Sequence, residues 1–311
     1  MGSIHASLSA AAIPTDPNFD NQSSSFFQQH KQLPSPDEVR SQARAQYLAG
    51  THWGDKRRDV STGFNARPSP AVFEFMGLFV KWGSDVRIAE GQSLYAIRCH
   101  LKNAVPEIYG WRTDGDEIFL YMEAIHGRTL ETTWKELEHN DRIHVCHELR
   151  TIFDTLRQLK QSPTDTFVGN VVRGPLYDRA VAIQYYSEAG PFITVKEFHD
   201  WFAFLHKRQV PDPHNVQDPY RQDLPDNSEI VFTHGDLHPS NIILSVDNPP
   251  KVVAVIDWEQ SGWLPAYWED RKAHYTGNYS GEWSEEFLPM VLDQHQATWD
   301  PWDYYTTSMG C

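Results

Sequence analysis

The feature that most constrains this chain is a polar loop enclosed by two short apolar runs, FTHGDLHPSNIILS at residues 232–245. A further apolar run, VVAVID, follows the turn residues DNPP and ends at Asp257. Apolar runs of this length, bounded by turn residues, are typical of buried β strands. We therefore predict that strands hold the loop at both ends, and that Asp257 ends the strand after it.

Polar side chains in this region have the spacing of a catalytic loop. His234, Asp236 and Asn241 match the offsets H-x-D-x-x-x-x-N of protein kinases. Phosphoryl transfer requires a carboxylate that orients and deprotonates the attacking hydroxyl, and oxygen ligands for the Mg²⁺ that bridges the phosphates. Asp236 suits the first task, and Asn241 and Asp257 suit the second. The alternatives are a hairpin with a merely polar turn and a zinc site formed by His234 with His238.

The same stretch resembles a known family of small-molecule kinases. The segments HGDLHPSNIIL and VIDWEQSG are similar to those of the aminoglycoside phosphotransferase/choline kinase-like family, in its fungal branch. LFVKWG, EIYGW, YMEAIHGRTLETTW and SGWLPAYWE are similar too, so the resemblance extends over roughly residues 70 to 310. It implies a protein-kinase-like fold with ATP (or another nucleoside triphosphate) and Mg²⁺ as cofactors.

The resemblance also implies roles for residues beyond the metal ligands and the base. Lys81 matches the lysine that holds the donor phosphates, and Glu90 matches its glutamate partner. The backbone of Glu123 and Ile125 is expected to contact the adenine ring. His234 is expected to support the backbone of the catalytic loop.

An acceptor pocket is expected after Asp257, where aromatic and acidic side chains are frequent. Such side chains hold an amine by cation–π contact and ion pairing. The candidate residues are Trp258, Glu259, Trp263, Tyr267, Trp268 and Glu269. Core packing is the alternative for each aromatic residue, and Glu259 is also a candidate for a catalytic role.

The composition argues against several classes of function. The formal net charge is −15, whereas a nucleic-acid surface requires clustered Lys and Arg. The acidic balance suits a cationic small-molecule acceptor, although solubility is the simpler explanation. The cysteines form no CxxC pair, which indicates a reducing compartment without disulfides. Because no apolar stretch is long enough to cross a membrane and no secretory signal is present, we expect a cytoplasmic protein without a membrane partner.

The pattern of apolar residues divides the chain into three parts. Residues 1–40 are rich in Ser, Gln, Asn and Pro, which predicts a flexible or peripheral arm. Residues 41–124 contain strand-like runs and one helical pattern, which predicts a small β-rich lobe that binds the nucleotide. Residues 125–311 carry helical periodicity, the catalytic loop and the acceptor pocket. With the resemblance, the fold class is α+β: a two-lobed protein-kinase-like fold with a small antiparallel β lobe and a larger, mainly helical lobe.

Local patterns predict individual elements within this layout. AVFEF and LFVKW around Met76-Gly77 predict a β-hairpin, and Thr113–Asp116 predicts the turn between two further strands. The residues from Thr129 to Leu159 have helical spacing. Thr194 is expected to cap a helix, with Glu197 at the capping-box position.

The expected phosphate loop departs from the kinase pattern. Kinases cover the phosphates with a Gly-rich hairpin, but STGFNARPSPAVFEF at residues 61–75 has no paired glycines. Either Asn65, Arg67 or Ser69 takes over part of that task, or nucleotide binding is weaker.

Two functions therefore remain open from the sequence. The first is an ATP-dependent phosphotransferase that moves the γ-phosphate to a hydroxyl of an amino alcohol, a sugar or a secondary metabolite. The second is a kinase-fold protein without phosphotransfer, which binds a metabolite or partner or catalyses other chemistry in the same cleft.

Overall fold

The structure, a computed structural model, describes residues 7–51, 68–101, 104–181, 188–277 and 281–309. Its contacts separate two compact units, one of Pro14–His126 and one of Gly127–Cys311 together with Met1–Ile13. The smaller unit is built on an antiparallel sheet and the larger one is mainly helical, so the α+β class is confirmed. The nucleotide and acceptor roles assigned to parts of the chain remain predictions.

The smaller unit contains a sheet with the strand order β1-β4-β5-β3-β2, in which every neighbouring pair is antiparallel. Its strands are β1 (Phe19–Asp20), β2 (Ala71–Phe73), β3 (Leu78–Gly83), β4 (Ile108–Asp114) and β5 (Glu117–Glu123). Its helices are α1 (Pro36–Leu48) and α2 (Ile88–Ile97). The predicted hairpin is present, because β2 pairs with β3 across Gly77, whose φ of +57° suits glycine.

Residues 14–40 pack within the smaller unit. Phe26 is 3% exposed, and its ring lies 5.1 Å from that of Tyr109 on β4. β1 extends the sheet through the pairing of Phe19 with Trp111. A capping box begins α1, with the hydroxyl of Ser35 accepting a hydrogen bond from the backbone of Glu38. Although the segment is mostly polar, its few apolar side chains pack against the sheet.

The larger unit combines short antiparallel pairs with helices. The strands are β6 (Arg128–Thr129), β7 (Ile230–Thr233), β8 (Ile242–Leu244), β9 (Val252–Val255) and β10 (Gly262–Pro265). The helices are α3 (Leu130–Thr133), α4 (His139–Arg157), α5 (Val195–Leu205), α6 (Trp268–Thr276), α7 (Leu288–Val291) and α8 (Trp299–Met309). The core between α5, α6 and α8 is aromatic, with the rings of Phe202, Trp268 and Trp302 in mutual contact.

The helical predictions are correct in location and differ in detail. The region from Thr129 to Leu159 is divided into α3, a 3₁₀ turn at Trp134–Glu136 and α4. Thr194 caps α5 by accepting a hydrogen bond from the N–H of Glu197, but the Glu197 carboxylate accepts from Ile193. Among the described residues, no helix combines the length and apolar character needed to cross a bilayer.

Candidate active site

The polar loop at residues 234–241 is anchored at both ends by paired strands. Thr233 on β7 pairs with Gly262 on β10, and Ile242 on β8 pairs with Val255 on β9. Within the loop, Gly235 has a φ of +81°, and a Cβ there would lie 2.6 Å from a backbone oxygen. Only glycine fits at this turn. The predicted strand–loop–strand arrangement is therefore present.

His234 supports the loop with both ring nitrogens. Its Nδ1 accepts a hydrogen bond from the N–H of Asp236 at 3.1 Å. The proton is therefore on Nε2, which donates to the carbonyl oxygen of Ile256 at 3.0 Å. The Nδ1 of His238 accepts from the N–H of Ser240 at 3.2 Å. Because both nitrogens of His234 are used within the protein, the structure gives no support to a zinc site shared with His238.

A buried glutamate holds the start of the loop. Glu269 on α6 accepts hydrogen bonds from the backbone N–H of His234 at 2.6 Å and of Gly235 at 3.1 Å. Its side chain is fully buried. A carboxylate in this environment is stabilised by such charge-assisted bonds, which also fix the position of the peptide groups. Glu269 thus positions the residues that precede Asp236.

Asn241 orients the carboxylate of Asp236. Its Nδ2 donates to the backbone oxygen of Asp236 at 2.9 Å and to Oδ2 of the same residue at 3.2 Å. The oxygen Oδ1 of Asn241 accepts from the hydroxyl of Ser240 at 3.4 Å. The N–H of Ile256 donates to the backbone oxygen of Asn241 at 2.9 Å. This bond places Asp257, the next residue, beside the loop.

Asp257 has a backbone conformation that is rare for its residue type. Its φ of 65° and ψ of 58° are in the left-handed region, and such non-glycine residues are concentrated at functional sites. One of its carboxylate oxygens lies within 4.8 Å of one of Glu259. Together with the amide oxygen of Asn241, these side chains supply only oxygen donors, the set that Mg²⁺ prefers. The donor chemistry fits a Mg²⁺ ion.

In the smaller unit, Lys81 on β3 and Glu90 on α2 form the predicted ion pair. The distance from Nζ of Lys81 to Oε2 of Glu90 is 2.7 Å. The Glu90 side chain is 2% exposed and that of Lys81 is 17% exposed. A buried carboxylate requires such a partner. The contact is therefore as the resemblance implies, while its role at the donor phosphates remains a prediction.

The other residues assigned to the nucleotide also lie in the smaller unit. Glu123 ends β5, and its carboxylate accepts a hydrogen bond from the N–H of Glu107 at 3.1 Å. Ile125 follows two residues later. Their backbone contacts with adenine remain predictions. Of the phosphate-loop candidates, Asn65 and Arg67 lie outside the described residues, and the backbone oxygen of Ser69 accepts from the Trp82 indole at 3.0 Å.

Comparison with known families identifies the chain. The sequence profile of the family described as phosphotransferase enzyme family (APH) matches residues 87–305, which is more than half of the chain. The chain belongs to this family. A search of curated proteins gave no match. The fungal branch of the resemblance remains a prediction.

Solved structures with similarity to this phosphotransferase-family chain include aminoglycoside phosphotransferases. One is APH(2'')-Ib with bound ADP, which has 13% identity and a TM-score of 0.47 over 78% of this chain and 77% of that chain. APH(2'')-IIa in complex with gentamicin has 13% identity and a TM-score of 0.45, with the same coverage. A ternary complex of APH(2'')-IIa with streptomycin and ATP has 12% identity and a TM-score of 0.45, over 89% and 90% of the two chains.

Sequence reasoning missed one residue of the site, Arg179. Its guanidinium forms an ion pair with Glu259, and its Nη1 lies 3.9 Å from Oδ2 of Asp236. Burial lowers the pKa of Arg179, but attraction by Glu259, Asp257 and Asp236 outweighs it, so the pKa lies above the usual range. This family member therefore has a fixed cation beside its predicted catalytic carboxylates. A lone arginine in a loop-rich segment gives no signal for this contact in the sequence.

Most of the residues predicted to line the acceptor pocket lie in the core of the larger unit. The residues that are at most 1% exposed are Trp258, Trp263, Tyr267, Trp268 and Glu269. Trp268 packs among aromatic rings and donates its indole N–H to Asp178 at 2.7 Å. The structure thus favours the alternative of core packing for the aromatic residues, because their side chains are used in internal contacts. It supports a backbone-holding role for Glu269, and a place beside Arg179 for Glu259.

Proposed function

We propose that this protein transfers the γ-phosphate of ATP to a hydroxyl group of a small molecule. The observation that carries the proposal is the orientation of Asp236 by Asn241, with Asp257 two residues beyond the end of β9, where the sequence had predicted it to end the strand. The proposed base and the proposed oxygen ligands for a divalent ion then lie on neighbouring segments of one unit, which supports phosphoryl transfer. The family match supports the reaction class.

Asp236 is proposed to act on the acceptor. Its backbone N–H is bonded to His234 and its backbone oxygen accepts from Asn241 and from the N–H of His238. These bonds leave the carboxylate as the group that orients the attacking hydroxyl. As the new oxygen–phosphorus bond forms, the hydroxyl proton moves to Asp236. The bond between the γ-phosphorus and its bridging oxygen breaks, and ADP leaves.

Asn241 and Asp257 are proposed to hold Mg²⁺ through side-chain oxygens. Bound there, Mg²⁺ neutralises part of the charge on the donor phosphates. The bond from Nδ2 to Asp236 fixes which end of the Asn241 amide supplies the oxygen. In the smaller unit, Lys81 is proposed to engage the donor phosphates, oriented by Glu90. The backbone of Glu123 and Ile125 is proposed to bind adenine.

The first experiment is a thermal-shift measurement with ATP and Mg²⁺. We expect both ligands together to raise the melting temperature of the parent protein, because a ligand that binds only the native state stabilises it. Asp257→Ala is expected to abolish the Mg²⁺-dependent part of the shift. Asp247→Ala is the matched control, since Asp247 is an exposed aspartate in the turn before β9.

The outcomes separate the proposed function from its alternative. If ATP and Mg²⁺ together do not raise the melting temperature of the parent protein, the proposal fails. A shift without transfer of label from terminally labelled ATP to any alcohol in a panel of amino alcohols, sugars and secondary metabolites indicates a nucleotide-binding protein without phosphotransfer.

A further inference from the structure

Arg179 is held by the main chain, in addition to its side-chain ion pair. Its backbone N–H donates to Oε1 of Gln260 at 2.8 Å. The same oxygen accepts from Nζ of Lys272 at 2.9 Å, and Lys272 pairs with Asp178 at 2.6 Å. Asp178, Gln260 and Lys272 are all buried. Asp178, the residue before Arg179, is held by Lys272, and the Arg179 N–H is held by Gln260. The backbone at Arg179 is therefore fixed beside the predicted catalytic carboxylates.

The Arg179 side chain faces both the carboxylates and the solvent. It is 41% exposed, whereas the side chain of its partner Glu259 is 1% exposed and that of Asp236 is 9% exposed. The guanidinium is therefore turned to the acids and also bonds to the Tyr177 side chain, while its exposed part faces whatever approaches Asp236. An alcohol whose hydroxyl reaches Asp236 must bring its neighbouring groups close to this cation.

The charges around Asp236 give this position a definite sign. Among the side chains of the larger unit, Asp236, Asp257 and Glu259 contribute three negative charges as carboxylates, and Arg179, which they all attract, contributes one positive charge, so that −3 + 1 gives −2. One divalent cation brings the sum to zero. Without Arg179, the same carboxylates and cation leave −1, which attracts an ammonium group. Arg179 thus weakens the attraction that these side chains and the cation exert on a cationic acceptor.

We propose that Arg179 is a specificity-determining residue that excludes alcohols with a positive charge near the reactive hydroxyl and admits neutral or anionic ones. The inference deepens the proposed function and rests on it. It reverses the expectation, drawn from the overall acidic charge, of a cationic acceptor. Net charge describes the whole surface, whereas recognition depends on the fixed charges beside the reacting group.

The test compares two alcohols of the same shape that differ in charge, choline and 3,3-dimethylbutan-1-ol. Binding of each to the protein with Mg²⁺ is measured by ligand-observed NMR, which does not require phosphotransfer. The parent protein is expected to bind the neutral alcohol at least as tightly as choline. Arg179→Gln is expected to bind choline about tenfold more tightly than the parent does, with little change for the neutral alcohol.

Further variants separate charge from structure. Arg179→Lys keeps the positive charge and is expected to behave as the parent. Arg173→Gln is the matched control, because the Arg173 side chain is 42% exposed and lies in the same loop-rich segment. The double variant Arg179→Gln with Glu259→Gln has the parent charge sum of −2 and removes the buried acid that has lost its arginine. It is expected to restore the parent preference between choline and the neutral alcohol. If Arg179→Gln alone does not fold, the double variant is measured in its place.

The inference is overturned if the parent binds choline more tightly than its neutral counterpart. It is also overturned if the ratio of the two affinities is the same in Arg179→Gln, or if the double variant retains the increased affinity for choline. Label transfer from ATP is measured in parallel on both alcohols and on an anionic hydroxy acid. If no alcohol is phosphorylated but the binding ratios change as expected, the proposed function fails while the charge selection stands.

Discussion

The carboxylate of Glu269 accepts a hydrogen bond from the backbone N–H of His234 at 2.6 Å, across 35 residues of sequence. Its other oxygen accepts from Gly235. In Glu269→Gln, only one side-chain oxygen remains. The amide NH₂ group then faces a backbone N–H, from which it cannot accept a hydrogen bond. We expect a loss of about 2 kcal/mol in the free energy of unfolding, because a buried donor is left unsatisfied.

The measurement is urea unfolding of Glu269→Gln beside Glu285→Gln, in which an exposed glutamate is changed in the same way. Equal stability of the two variants would show that Glu269 is not needed to hold the loop.

Phe26 tests whether the N-terminal segment is part of the smaller unit. Phe26→Ala is expected to lower the free energy of unfolding by about 3 kcal/mol, because it leaves a cavity beside Tyr109. Phe75→Ala removes the same side chain from a fully exposed position in the same unit. We expect it to change stability by less than about 0.5 kcal/mol. If denaturant unfolding gives the two variants similar losses, the segment is a detachable arm.

The sequence predicted those parts of the molecule whose signal is local. The hairpin around Gly77 and the cap at Thr194 depend on neighbouring residues, and both are present in the structure. The spacing of His234, Asp236 and Asn241 predicted a polar loop between strands for the same reason, and the paired strands are present, while the catalytic roles of the three residues remain predictions.

Contacts between distant segments were not visible in the sequence. Arg179 reaches Glu259 from a backbone whose N–H donates to buried Gln260, and Gln260 is held in turn by buried Lys272. The tryptophans after Asp257 have the composition of a ligand pocket, but side-chain type alone does not distinguish a pocket wall from a core. The burial of Trp268 follows from its contacts with α5 and α8.

Lys81 tests the proposed role of the smaller unit in nucleotide binding. Lys81→Met removes the charge that pairs with Glu90 at 2.7 Å and is proposed to engage the donor phosphates. We expect the dissociation constant for ATP with Mg²⁺ to rise at least about tenfold in titration calorimetry. Lys31→Met, at an exposed position of the same unit, is expected to leave it unchanged. Parent-like affinity in Lys81→Met would remove the lysine from the proposed site.

The burial of His199 is expected to make the stability of the protein depend on pH. Burial lowers its pKa below the ordinary value of 6.5, although Asp226 acts in the opposite direction. Its Nδ1–H donates to Asp226 at 2.8 Å, and its Nε2 accepts from the Tyr267 hydroxyl at 3.0 Å. Arg221 and Asp200 are the other charges that act on it. In the folded protein, the imidazole is therefore neutral at a pH at which the unfolded chain is already protonated.

Because the unfolded state binds more protons in this window, the stability from His199 is fully present above about pH 6.5 and is lost as the pH falls toward the folded pKa. We expect the free energy of unfolding to decrease between pH 7.5 and 5.5, and the decrease to be smaller in His199→Gln. His139→Gln, at an exposed histidine, is expected to show the parent slope. An unchanged slope in His199→Gln would assign the pH dependence to other groups.

The central claim is that Asp236 acts as the base in a phosphotransfer from ATP to an alcohol. The most direct measurement follows label from terminally labelled ATP into the alcohols of the panel, for the parent and for Asp236→Asn. We predict Mg²⁺-dependent transfer by the parent, and a rate at least about a hundredfold lower in Asp236→Asn with ATP affinity retained. Transfer by Asp236→Asn at the parent rate, or no transfer to any alcohol by the parent, would contradict the claim.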